Sequence, residues 1–143
     1  MKVLVFDSSL DRAKLIRDLL EDYRYKTIIQ KNGGQTLNKV RDVKPSLIIV
    51  HSKDHGIQIL EKIKNDTRYS KIPVIVISNL YSQEVMDRIK DYPNVDFLVE
   101  PFKIKNFRHV VERWINFRSL YVSWFFHQLL ISSHFGLFSF SCA

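Results

Sequence analysis

The sequence has one cysteine, Cys142, in 143 residues. A single thiol excludes an internal disulfide and a cysteine-rich zinc site, so the composition favours a reducing, cytoplasmic compartment. The N-terminus also lacks a long apolar run, because residues 3–6 are followed at once by Asp7, and we therefore expect no signal peptide. Residues 1–118 contain neither an internal repeat nor a low-complexity linker.

Acidic residues are fewer than basic ones, 15 against 22, which gives a net charge of +7. A basic surface attracts acidic proteins, nucleic acids or anionic membranes, but charge alone does not choose among them. The sequence has no helix-turn-helix pattern and no aromatic stacking platform, so nucleic-acid binding is not expected. With 45% hydrophobic and 26% charged residues, the composition is that of one globular domain with a real core.

Five short apolar segments alternate with five amphipathic patterns before residue 118. The third apolar segment, residues 45–50, has the branched side chains typical of a strand buried on both faces of a parallel sheet. The predicted strands are residues 3–6, 26–30, 45–50, 72–78 and 95–100, and the predicted helices are residues 10–23, 36–43, 56–65, 83–90 and 105–117. This alternation predicts an α/β fold, a doubly wound five-stranded parallel sheet with helices on both faces.

His51 directly follows the predicted central strand. Ligands of open α/β sheets bind at the carboxyl ends of the strands, so this position marks the edge where a functional site is expected. The ends of the flanking strands reach the same edge.

The composition changes at the C-terminus, where residues 120–143 contain no Lys, Arg, Asp or Glu. We therefore divide the chain into a domain at residues 1–118 and an apolar tail at residues 119–143. Three interpretations of the tail compete: a helix extension through about Leu130 with an apolar contact surface, a weak membrane anchor, and a segment not native to the domain. The first is favoured, because serines and two histidines make a poor membrane span.

Four segments in order resemble the receiver domain of two-component response regulators, of the chemotaxis-regulator type. They are Val-Leu-Val-Phe-Asp at residues 3–7, Pro-Ser-Leu-Ile-Ile-Val at 45–50, Ile-Pro-Val-Ile-Val-Ile-Ser at 72–78 and Asp-Phe-Leu-Val-Glu-Pro-Phe at 96–102. The resemblance covers residues 1 to about 118 and implies a flavodoxin-like sheet.

The resemblance also implies a phosphorylation pocket, and this sequence departs from it. In the family, two acids after the first strand and an acceptor aspartate hold Mg²⁺, a lysine pairs with the phosphoryl group, and a Thr or Ser closes over it. By position, Asp7 matches one acid and Ser78 matches the switch hydroxyl. Ser8 replaces the second acid, His51 the acceptor and Glu100 the lysine. The loop after His51 is also shorter than the family's loop.

These departures predict a degenerate pocket in a protein that is not an enzyme. Mg²⁺ prefers hard oxygen ligands, so Mg²⁺ binding is not expected, and Glu100 would repel a phosphoryl group by about 1–4 kcal/mol at about 4 Å. Instead, Asp7, His51 and Glu100 are expected to form a charge-paired cluster with a protonated imidazole between two carboxylates. Two alternatives remain: phosphorylation at a nonstandard residue, His51 or Asp54, and a transition metal held by Asp7, His51 and Glu100.

The resemblance implies a protein-contact surface on the fourth helix, the fifth strand and the fifth helix. Here that surface includes Tyr81, Arg88, Phe97, Lys103, Lys105 and Arg108, and it is basic. We expect an acidic protein partner or self-association there, with membrane contact by the tail as a lesser alternative. The predicted function is a signalling module that works by protein contact, without phosphorylation.

Overall fold

A computed structural model of the chain describes residues 1–31 and 33–115, apart from the side chain of Asp54. Five parallel strands form one sheet in the order β2-β1-β3-β4-β5. The strands are β1 Lys2–Phe6, β2 Lys26–Gln30, β3 Leu47–His51, β4 Val74–Ser78 and β5 Val95–Val99. The helices are α1 Leu10–Glu21, α2 Thr36–Val43, α3 Ile57–Asn65, α4 Gln83–Ile89 and α5, residues 104–115. The predicted α/β fold is confirmed.

The core has two layers because successive strand side chains point to opposite faces of the sheet. Leu47 and Ile49 of β3 face the layer formed with α1 and α5, whereas Ile48 and Val50 face the layer formed with α2, α3 and α4. Every residue of β3 is buried, as predicted for the central strand. Burial on both faces fixes the register of β3, and with it the position of the residue at its carboxyl end.

The connection from β3 to α3 differs from the expected one. The predicted helix begins at Gly56, but the structure has a π-helical turn at Ser52–Gly56, and α3 begins at Ile57. The reason is the short loop, which folds so tightly that a Cβ atom on Gly56 would lie 1.7 Å from the backbone oxygen of His51. Only glycine fits at this point, and its presence lets the chain turn directly behind the end of β3.

Several sequence predictions lie outside the described residues. These are the turn at Asn32, the extension of the last helix to Phe117 and Leu130, and the tail at residues 119–143. Within residues 1–31 and 33–115, no helix combines the length and the apolar character needed to cross a membrane.

Candidate phosphorylation pocket

The carboxyl ends of the strands bring together four of the predicted site residues. Asp7, His51 and Ser78 are 2–5% exposed, and the Glu100 side chain is 24% exposed beside them. Ser8 lies at the same edge but is exposed. The pocket therefore has the expected place in the sheet, but its internal pairing differs from the predicted one.

Asp7 is paired with a residue that the sequence analysis missed. Arg12 approaches the carboxylate with two parallel hydrogen bonds, from Nε to Oδ2 at 2.7 Å and from Nη2 to Oδ1 at 2.6 Å. The backbone amide of Ser9 donates a third hydrogen bond to Oδ1 at 2.9 Å. The only sequence signal was spacing, since Arg12 lies in the first turn of α1, above the end of β1.

His51 makes its best hydrogen bond to the backbone. Its Nδ1 atom accepts the amide of Lys53 at 3.1 Å, so this nitrogen carries no proton and the ring proton of the neutral form is on Nε2. Nε2 lies 3.2 Å from Oε1 of Glu100, but the N–H is not aligned with that oxygen, and among the described residues Nε2 has no hydrogen-bond acceptor. The approach to Glu100 is therefore an electrostatic contact.

The expectation of a protonated imidazole between two carboxylates is wrong. Burial and then the nearby Arg12 guanidinium lower the pKa of His51 below 6.5, and the opposing effects of Glu100 and Asp7 do not overcome them. Burial is the main reason, and Arg12 adds to it because it neutralises Asp7, which leaves the partly exposed Glu100 to favour the imidazolium. His51 is thus a neutral imidazole at pH 7.

The Ser78 hydroxyl is hydrogen-bonded to two neighbouring residues, Leu80 and Ser52. Its single hydroxyl proton is donated to the backbone oxygen of Leu80 at 2.8 Å, and its oxygen accepts the hydroxyl of Ser52 at 2.7 Å. The amide of Leu80 makes a longer contact to the same oxygen, 3.3 Å. Because a hydroxyl has one proton to donate, Ser78 would have to break the bond to Leu80 before it could donate to a ligand.

Glu100 directly follows β5 and is hydrogen-bonded to the end of the neighbouring strand β4. Its backbone amide donates to the backbone oxygen of Ser78 at 2.7 Å, and the peptide bond to Pro101 is cis. A groove of about 680 Å³ opens beside its side chain, between α1 and the start of α5. The groove is lined by Asp11, Arg12, Leu15, Ile16, Asn79, Glu100, Pro101 and Phe102.

The donor set of the pocket does not fit Mg²⁺. Both oxygens of Asp7 are engaged by Arg12, Ser8 offers no carboxylate, and His51 presents an imidazole. In the part of the chain that the structure describes, no group of three His, Cys, Asp or Glu side chains is placed to hold a metal ion, so the transition-metal alternative at Asp7, His51 and Glu100 stays a prediction. The alternative acceptor Asp54 has its side chain outside the described structure.

The residues of the predicted contact surface differ in their surroundings. The ring of Tyr81, which is 63% exposed, packs edge-on against Phe97 with the ring centroids 6.4 Å apart. Arg88 of α4 forms an ion pair with Glu61 of α3.

The basic residues at and just before the start of α5 differ in their pairing. Lys103 and Lys105 are exposed, but Arg108 turns towards α1 and pairs with Asp22 at 2.9 Å. The charge of Arg108 is therefore partly balanced by Asp22, whereas the contact surface itself stays a prediction.

Comparisons with known proteins identify the family. No protein-family model matches the chain. The polar-differentiation response regulator DivK of Brucella anthropi is 26% identical over 116 residues, which cover 79% of this chain and 94% of DivK. The solved structure of chemotaxis protein CheY4 of Vibrio cholerae has a TM-score of 0.71 at 21% identity, with 79% of this chain and 97% of CheY4 covered. The chain is a receiver domain of two-component response regulators.

Two further comparisons concern a longer protein and a magnesium-bound receiver domain. A protein-glutamate methylesterase/protein-glutamine glutaminase 1 of Methanospirillum hungatei is 32% identical over 117 residues, but this chain spans about a third of that protein, 34%. The receiver domain of the sensor histidine kinase PA1611 from Pseudomonas aeruginosa matches with a TM-score of 0.69 at 17% identity, over 80% of this chain and 97% of that one. That structure has a magnesium ion in its active-site cleft.

Proposed function

We propose that this receiver domain signals by protein contact and without phosphorylation. The observation that carries the proposal is His51 at the acceptor position, the carboxyl end of β3. It is 2% exposed, neutral and hydrogen-bonded through Nδ1 to Lys53. A residue of this kind cannot form an acyl phosphate.

The charge at Glu100 supports the same conclusion. A lysine at this position would attract a phosphoryl group, whereas Glu100 carries a negative charge 3.2 Å from the His51 ring. Since the side chain is 24% exposed, water screens the repulsion towards the lower end of the range of about 1–4 kcal/mol at about 4 Å. Even about 1.4 kcal/mol is a tenfold penalty on binding a phosphodonor.

The switch hydroxyl offers a further argument. Ser78 donates to Leu80 and accepts from Ser52, so the loop after β4 is held without any phosphoryl group. The same loop presents Leu80 and Tyr81, 69% and 63% exposed, at the surface. A surface that is already held in one arrangement suits a module whose contacts do not depend on phosphorylation.

We propose that the contact involves this loop and the exposed cationic side chains around the start of α5. Tyr81 and Phe97 supply an apolar centre, and the exposed Lys103 and Lys105 supply positive charge. An acidic protein surface, on a partner or on a second copy of the chain, complements this arrangement.

Incubation with acetyl phosphate and Mg²⁺, followed by intact mass measurement, tests the proposal. We expect no mass increase in the wild type, while an aspartate-bearing receiver domain treated in parallel should gain one phosphoryl group. A gain in the wild type would contradict the proposal. His51→Gln and Asp54→Asn would then identify the acceptor, since only the variant that lacks the acceptor should lose the added mass.

A further inference from the structure

We infer that Arg12 is the built-in counter-charge of this pocket, a guanidinium that occupies the oxygens of Asp7 and makes the receiver domain independent of magnesium. The inference deepens the proposed phosphorylation-independent function and rests on it. It concerns what neutralises the buried acid, whereas the proposed function concerns what happens at His51.

The geometry is that of a two-point ion pair. Nε and Nη2 of Arg12 lie 2.7 and 2.6 Å from the two oxygens of Asp7, an arrangement that the planar guanidinium makes and an ammonium cannot. The Asp7 side chain is 1% exposed and that of Arg12 is 24% exposed. The carboxylate is therefore desolvated, and Arg12 with the amide of Ser9 supplies the interactions that water would have made.

The start of a helix is an unfavourable place for the positive charge of Arg12. It lies in the first turn of α1, whose N-cap Ser9 accepts the Arg12 amide, and the partial positive charge of a helix N-terminus disfavours a cation there. The contact with Asp7 offsets this cost. The cation is thus directed at the pocket and not at the helix.

Magnesium would have to displace this contact to reach Asp7. At the three positions that hold Mg²⁺ in the family it would gain one carboxylate, because Ser8 carries none and His51 offers nitrogen, and it would leave Arg12 without this partner. The chain's own cation is connected covalently to the pocket, so its effective concentration is high and no free ion needs to be bound.

Four proteins test the inference: the wild type, Arg12→Gln, Arg12→Lys and Arg17→Gln. Arg17 is an exposed arginine on the same helix and controls for loss of one positive charge from α1. Urea unfolding is measured for each with and without roughly 20 mM MgCl₂ at matched ionic strength, since a ligand of the folded state stabilises it by mass action. Backbone amide shifts of the wild type are followed over the same Mg²⁺ range.

We expect Arg12→Gln to raise the unfolding equilibrium constant by about 30-fold, since it leaves a buried carboxylate unpaired, while Arg17→Gln changes it by less than about threefold. Mg²⁺ should lower the constant of Arg12→Gln by about threefold, as expected for a site with a dissociation constant near 10 mM, and should leave the wild type unchanged. Arg12→Lys should keep the indifference to Mg²⁺ because it keeps the charge, although it loses the two-point contact and part of the stability.

Saturable Mg²⁺ shifts at Asp7 and Ser8 in the wild type would overturn the inference, and this measurement needs no variant to fold. Equal stability of Arg12→Gln and Arg17→Gln would overturn it too, as would indifference of folded Arg12→Gln to Mg²⁺. Failure of the proposed function is seen separately, as a phosphoryl mass gain in the wild type.

Discussion

Replacement of His51 by aspartate restores the nucleophile of a receiver domain, yet we expect the His51→Asp variant to remain unphosphorylated. The Oε1 atom of Glu100 lies 3.2 Å from Nε2 of His51, so the new carboxylate would face Glu100 at about 4 Å, with a repulsion of about 1 kcal/mol in water and about 4 kcal/mol at an effective dielectric constant of 20. The site is buried on the side of residue 51 and 24% exposed on the side of Glu100, which places the repulsion between these limits. An incoming phosphoryl group meets the same charge.

The assay compares four variants with acetyl phosphate and Mg²⁺ by intact mass. His51→Asp alone and His51→Asp with Glu100→Lys should stay unmodified. Activity should need the third variant, which adds Ser8→Asp to these two changes, because the parts of one site act together. His51→Asn controls for the change in volume without charge. Efficient Mg²⁺-dependent phosphorylation of the single variant would show that the charge at Glu100 and the missing acid at Ser8 matter less than we conclude.

Three further predictions concern stability. The pKa of His51 in the folded protein is below 6.5, so the unfolded chain binds more protons than the folded one as pH falls through 6.5. The free energy of unfolding should therefore decrease from about pH 6.5 down to the folded pKa. His51→Gln should lose this pH dependence, and an NMR pKa of His51 above 6.5 would contradict the prediction. Gly56→Ala should destabilise the fold by about 2–3 kcal/mol in urea, because its Cβ would lie 1.7 Å from the oxygen of His51, whereas Ala at the exposed Gly34 should have little effect. A chain that ends at residue 118 should still unfold cooperatively, because it keeps the buried apolar residues of α5, which extend as far as Ile115. Loss of cooperativity would show that residues 119–143 belong to the core.

The fold was predictable because local and long-range signals agreed. The apolar runs have the length of buried strands, and β2 at Lys26–Gln30 and α2 at Thr36–Val43 have the predicted bounds. The exception is the segment after His51, where the helical pattern suggested a start at Gly56. A π-helical turn takes its place, and it depends on a backbone contact between His51 and Gly56 that side-chain periodicity does not encode.

The site was predictable in position but not in pairing. Strand ends converge in any parallel sheet, so the grouping of Asp7, His51, Ser78 and Glu100 followed from topology. Which charge neutralises which depends on the direction of long side chains. Arg12 could reach Asp7 or solvent, and spacing does not distinguish these possibilities.

A buried lysine shows the same limit away from the site. Lys64 follows Leu60 by four residues and so shares its buried face, which was a signal in the sequence. Its ammonium group donates to the backbone oxygens of Ser70 and Ile72 at 2.9 and 2.7 Å, and burial lowers the pKa of Lys64 to about 8. The acceptors are carbonyls of a loop, and no sequence pattern identifies them.

Three polar groups of the pocket are already paired within the chain, and this bears on how such a domain could transmit a signal. Asp7 is paired with Arg12, the hydroxyl of Ser78 with Leu80, and Nδ1 of His51 with Lys53. A ligand that binds Asp7 or Ser78 would have to break these contacts first. Its differential affinity for a second conformation would then be small, and a ligand without differential affinity shifts no equilibrium. Control should then come from the amount of the protein, or from competition for the surface around Tyr81, and not from chemistry in the pocket.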